Sequence, residues 1–195
     1  MSELKRSLKI DLEELKFVME SHFDDMRHYL DLETGEIVLV TQDARRASEA
    51  LLETIAPEIS DAEAMAAIET AIQAETVSDS EKAGLRTAAL VEIGYNTRFI
   101  EIPQVDSREG YQDMEAFIEA VSNRHLRELL EVAIQGKGAF RRFNDVLNNH
   151  PAERERWFKF KDAQWNQRAL DWLDDEGIEP IPPVPDRRST VDGSL

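Results

Sequence analysis

Residues 29–40, Tyr29-Leu30-Asp31-Leu32-Glu33-Thr34-Gly35-Glu36-Ile37-Val38-Leu39-Val40, have the pattern of a β-hairpin. Two runs rich in aliphatic and β-branched residues flank Glu33-Thr34-Gly35-Glu36, and Gly35 can take the positive φ that a short, bulged hairpin requires. No other stretch signals a strand so clearly, so the sheet built on this hairpin must be small.

A short apolar run at Phe99–Pro103 supplies a third strand. Its alternation places Ile100 and Ile102 on the core side and Phe99 and Glu101 opposite, and Pro103 suits a strand end. Before the hairpin, Leu12, Leu15, Val18 and Met19 recur at helical spacings within 10–22, after an Asp11 placed to start the helix.

From Thr41 to Tyr95 the chain is rich in alanine and glutamate. Ser60 with Glu63 and Ser78 with Glu81 have the spacing of capping boxes, and three short helices are expected. Pro57 would end the first, Met65, Ile68 and Ile72 give the second a stripe, and Gly94 would stop the third.

The remainder reads as helices. Asp106 with Glu109 opens one carrying Tyr111, Met114, Phe117, Ile118 and Val121, and a second carries Leu126, Leu129, Leu130 and Ile134 up to Gly136. A third spans Ala139 to about Asn149, with Phe140, Phe143, Val146 and Leu147 spaced for a core-facing stripe. The last runs from Pro151 to about Glu176, is capped by Gly177 and holds all three tryptophans, with Trp157, Phe160, Trp165 and Trp172 as candidate core anchors. Beyond Ile178, Pro180, Pro182, Pro183 and Pro185 crowd into a segment that reads as a flexible tail, 180–195.

Composition narrows the function classes. The 195 residues include no cysteine, which removes disulfides, thiolate metal sites and cysteine nucleophiles. A net charge of −17 repels phosphate backbones and anionic lipid at long range. The amino-terminal residues alternate charge with apolar side chains, unlike a signal peptide or membrane span, so a cytoplasmic location is expected.

Assembled chemistry is hard to find. Of the four histidines only His22 and His28 lie near each other, and their spacing matches no metal-ligand pattern. Carboxylates are too numerous for any one pair to single itself out. There is also no glycine-rich phosphate loop, no Gly-x-Ser-x-Gly elbow and no His-Glu-x-x-His. No metal, cofactor or catalytic residue is therefore expected.

One segment departs from the acidic background. Residues 137–168 hold eight lysines and arginines against four carboxylates, a local charge of +4, so the rest of the chain carries −21. Within it Lys137, Arg141, Arg142, Arg154 and Lys159 are candidate contacts for an anion or partner. Interleaved with Phe140, Phe143, Trp157 and Phe160, they could hold phosphates while the rings stack on bases. The competing reading makes the rings core and the arginines partners of acidic neighbours or aromatic faces.

Three motifs carry a resemblance: Gly138-Ala139-Phe140-Arg141-Arg142-Phe143, Trp157-Phe158-Lys159-Phe160-Lys161-Asp162 and Arg168-Ala169-Leu170-Asp171-Trp172-Leu173. With Tyr29-Leu30-Asp31, Thr34–Val38 and Phe99–Pro103, they make the chain resemble the bacterial uncharacterised protein family 0158 (UPF 0158). The resemblance implies an intracellular bacterial domain. It transfers no substrate and no catalytic residue.

The expectation is thus an α+β protein, mostly helical, with a small antiparallel sheet (hairpin 27–41 plus strand 99–103) packed against helices. Residues 1–179 read as one domain, with 42–95 as an insertion-like helical stretch. Functionally it reads as a non-enzymatic, acidic protein-interaction module whose partner is another protein. The alternative is a nucleic-acid-associated protein using 137–168.

Overall fold

A computed structural model describes residues 5–21, 24–55 and 59–181. The expected end of a helix at Pro57, His22, and the tail beyond Ile181 lie outside the described residues. The fold is α+β and mostly helical, as expected. By its contacts the chain divides into two compact units, residues 1–103 with 173–195, and residues 104–172.

The first unit opens with β1 (Arg6–Lys9) and α1 (Leu12–Glu20). Asp11 caps α1 by accepting hydrogen bonds from the Glu13 and Glu14 amides at 3.0 and 3.1 Å, and Leu15, Val18 and Met19 are buried. The hairpin forms as read: β2 (Met26–Asp31) pairs antiparallel with β3 (Ile37–Thr41), and Gly35 has φ +78°. β4 (Phe99–Glu101) lies on the other side of β2, giving the order β3-β2-β4.

The facing of β4 reverses the expectation at one residue. Phe99 is buried among Tyr29, Val40, Ala88 and Val91, whereas Ile100 is only half-buried; Ile102, just past the strand, is buried as expected. Gly94 makes this possible, because a Cβ there would come within 2.9 Å of the Phe99 ring. A three-residue strand has too little alternation to outweigh a large ring that finds room beneath a glycine.

Between β3 and β4 come α2 (Gln42–Leu52), α3 (Asp61–Ala74) and α4 (Asp79–Ile93), the three expected helices. Both capping boxes form, Ser60 with Glu63 and Ser78 with Glu81. Ile68 and Ile72 of α3 meet Leu85 and Ala89 of α4 in a small buried cluster. Glu69 and Arg86 tie the same two helices by a two-pronged ion pair at 2.6 and 2.8 Å. The Arg86 and Gln73 hydrogen bonds hold the Glu69 carboxyl down at about 2.

The second unit contains α5 (Ser107–Glu119), α6 (Arg124–Ala133), α7 (Ala139–Asn148) and α8 (Pro151–Asp175) through Trp172. Its core is aromatic. Phe117, Phe143 and Trp157 meet edge to face, with centroid separations of 4.9 to 6.2 Å. Leu126, Leu130 and Leu147 pack around them, while Phe140 and Leu129 face outward.

Trp157 and Trp165 are buried, Phe160 packs against the core at partial exposure, and Trp172 is only half-buried. Trp165, Ala169 and Leu173 form the buried stripe, spaced by four, and Trp172 falls one residue off it.

After α8, Gly177 turns with φ +68° into β5 (Ile178–Ile181). This strand pairs in parallel with β1, Arg6 opposite Ile178 and Lys9 opposite Ile181. Pro180 and Ile181 are therefore strand residues, where the proline-rich composition had suggested the start of a tail. The pair joins strands 172 positions apart, beyond the reach of any local pattern.

Candidate functional site

The five basic residues singled out by sequence stand in different surroundings. Arg142 is the most engaged: its guanidinium donates to the Ala133 carbonyl at 2.9 Å and to the carbonyls of Gln135 and Lys137. These carbonyls lie at and just past the negative end of α6, so the cation acts as a cap. Gly138, at φ +78°, turns the chain between α6 and α7 so that Arg142 can reach back.

Lys159 pairs with Glu155 one turn away at 2.7 Å, which holds the Glu155 carboxyl below its usual range. Arg141 is highly exposed and lies 3.8 Å from Asp145. Arg154 sits over the exposed Phe158 ring at 5.2 Å. Lys137 is exposed, and its backbone carbonyl serves Arg142. Only Lys137 and Arg142 are thus joined, through backbone.

A cation that sequence did not select bridges two carboxylates. Arg168 of α8 grips Asp113 of α5 with both Nη atoms, adds Glu109 at 2.9 Å, and lies over the Trp165 ring at 5.2 Å. These hydrogen bonds raise the Arg168 pKa further. Arg98 does the same in the first unit, holding Asp31 at 2.7 Å and Glu33 at 2.8 Å. Burial pushes the Asp31 carboxyl up most strongly, but hydrogen bonds from Arg98 and the Glu33 amide outweigh it and leave its pKa lowered.

A concavity opens on the first unit. A groove of about 570 Å³ runs between β3, α2 and α4. Leu39, Val77 and Leu85 supply apolar walls, and the small residues Ala44, Ala47 and Gly84 leave its space unfilled. A Cβ on Gly84 would still be 3.9 Å from that of Ala44, so the glycine is not a packing necessity. Asp43 and Glu81 add carboxylates to the lining. The Ser78 hydroxyl and amide, at 2.6 and 2.8 Å, hold Glu81 in its charged form.

One wall of the groove is a sheet edge. Backbone hydrogen bonds at Asp25–Gln42 and Asp31–Glu36 set the register, so even-numbered residues of β3 bond to β2. Ile37 and Leu39 consequently direct their N–H and C=O groups away from the sheet. Among the described residues no strand lies beyond β3.

Among the described residues no three histidine, aspartate or glutamate side chains gather so as to hold a metal ion. Nor is any helix there long and apolar enough to cross a membrane.

Fold and groove together describe a small, mostly helical α+β protein with an apolar recess beside an open sheet edge. The profile of the Uncharacterised protein family (UPF0158) matches residues 82–184, more than half of the chain, and the chain belongs to that family. The UPF0158 protein PA5073 of Pseudomonas aeruginosa is 25% identical over 176 residues, covering 90% of this chain and 88% of that one. No solved structure matches the chain.

Proposed function

We propose that this chain is a cytoplasmic, non-enzymatic protein-interaction module, and that the groove between β3, α2 and α4 receives its partner. The observation that carries the reading is the groove itself: a recess with apolar walls on a chain of net charge −17. The engagement of Arg142, Arg168 and Lys159 within the protein favours a partner of this kind over nucleic acid. Cations already paired have less to gain from phosphate.

The test uses the full chain as bait in bacterial lysate at low salt, beside an Ala47→Trp variant that fills the groove from an exposed helix position. A stoichiometric protein should be retained by the parent, lost from Ala47→Trp, and kept by a double Arg141→Glu, Lys159→Glu variant. Capture of no stoichiometric protein, or capture indifferent to Ala47→Trp, would refute the proposal. Salt-sensitive binding of single-stranded RNA or DNA that disappears with Arg141→Ala and Arg142→Ala would move the function to the second unit.

A further inference from the structure

We infer that the groove accepts an extended segment of another protein, which adds to the sheet as a strand beside β3, with apolar side chains in the recess and lysine or arginine at its ends. This rests on the protein-interaction reading and specifies the chemistry of the partner.

The backbone carries the first part of the argument. An outward row of N–H and C=O groups is a template for another strand, and sheet edges are usually blunted by lysine, proline, a bulge or a covering element. The other edge strand conforms: β4 is three residues long, preceded by Arg98, carries Glu101 and is followed two residues on by Pro103. β3 does not conform. It presents Ile37-Val38-Leu39-Val40-Thr41, without a charge or a proline, and Leu39 is 44% exposed.

The groove carries the second part. An added strand would place alternate side chains along the recess lined by Leu39, Val77, Leu85, Ala47 and Gly84. Main-chain bonds would supply affinity there, and the recess would select apolar residues. Charge decides the flanks: Asp43 and the ionised Glu81 belong to the lining, on a chain of net charge −17. An acidic segment would be repelled, and a basic-ended one steered in.

The probe is the peptide Lys-Lys-Thr-Val-Thr-Val-Thr-Val-Lys-Lys, compared with a version in which glutamate replaces every lysine and a version N-methylated at alternate valines. Binding is followed by fluorescence anisotropy, and the Leu39 amide by hydrogen exchange in the unmodified protein. The lysine-ended peptide should bind at least about tenfold more tightly than either control. It should also slow Leu39 exchange at least about tenfold.

Because the Leu39 N–H points outward, Leu39→Pro removes a donor without breaking the β2 ladder. It should weaken binding at least about tenfold, while Leu39→Thr stays within about threefold. The exchange measurement stands even if the proline variant melts early.

If a lysate partner is lost from Ala47→Trp but no peptide binds, or a peptide binds without slowing Leu39 exchange, strand addition is overturned while the interaction reading survives. If neither lysate protein nor peptide binds, both fall. Concentration-dependent dimerisation abolished by Ala47→Trp would assign the groove to a second copy. Tighter binding of a peptide copying residues 182–195 would assign it to the chain's own carboxyl end. Either result would overturn the inference.

Discussion

Arg168 and Asp113 form a two-pronged ion pair, Nη1 to Oδ2 at 2.8 Å and Nη2 to Oδ1 at 2.6 Å, joining α8 to α5 with the carboxylate almost wholly buried. A guanidinium and a carboxylate paired this way satisfy each other's hydrogen bonds, which makes their shared burial tolerable. Removing Asp113 leaves Arg168 only the more exposed Glu109, and removing Arg168 strands the buried Asp113.

Asp113→Ala should therefore cost about 3 kcal/mol, measured as a drop in the urea midpoint at pH 7. The double variant Asp113→Leu, Arg168→Met should recover most of that loss, because no unpaired charge is left inside. A double variant as unstable as the single one would show that the pair contributes by packing alone.

Asp31 links stability to acid. Its pKa is lowered in the folded protein, so the stabilisation is complete above the unfolded carboxyl's value of about 4 and fades as pH falls through the folded value. Asp31→Asn should lose stability at pH 7 and show a shallower decline in urea midpoint between about pH 5 and pH 2. Parallel acid limbs for parent and variant would contradict this.

Adjacent arginines should behave differently. Arg142→Ala removes the cation capping the last carbonyls of α6 and should lower stability by about 1 to 2 kcal/mol. Arg141→Ala, next to it but highly exposed, should stay within about 0.5 kcal/mol. Thermal melts of the two variants side by side decide the matter, and equal effects would remove the capping role.

At Gly35 two constraints coincide. Its φ of +78° is strained for any side chain, and a Cβ would overlap the backbone carbonyl of Lys9 in β1. Gly35→Ala should cost about 3 kcal/mol or more, well beyond the roughly 1 kcal/mol of the positive φ alone. A loss near 1 kcal/mol would mean that β1 moves aside freely, and the Leu8 amide would then exchange faster in the variant.

Much of this architecture was legible in the sequence because the information is local. A capping serine is three residues from its glutamate, a helix stripe repeats within one turn, and the hairpin is contained in 29–40. Asp11, Ser60, Ser78 and Asp106 all cap the helices that their spacing assigns to them. The alternation of Phe99–Pro103 does not reveal the facing of Phe99, because its placement depends on Gly94 in a different element. Arg168 was one of several similar cations in a charged segment, and nothing near it in sequence marks Asp113 as its partner. The groove is not legible in the sequence because much of its helical lining is alanine, glycine, serine and carboxylate, a composition that by itself reads as solvated helix, and its apolar walls come from separate segments.

Residue order alone determined the hairpin, the helices and their caps, since backbone dihedrals and side-chain periodicity are set within a few neighbours. Tertiary structure alone decided the parallel union of β1 with β5, the inward turn of Phe99, the pairing of Arg168 with the buried Asp113 and the recess beside β3. Each of these brings in groups from distant segments, as Tyr29 and Val40 do around Phe99, and packing selects such meetings from many that local pattern allows equally.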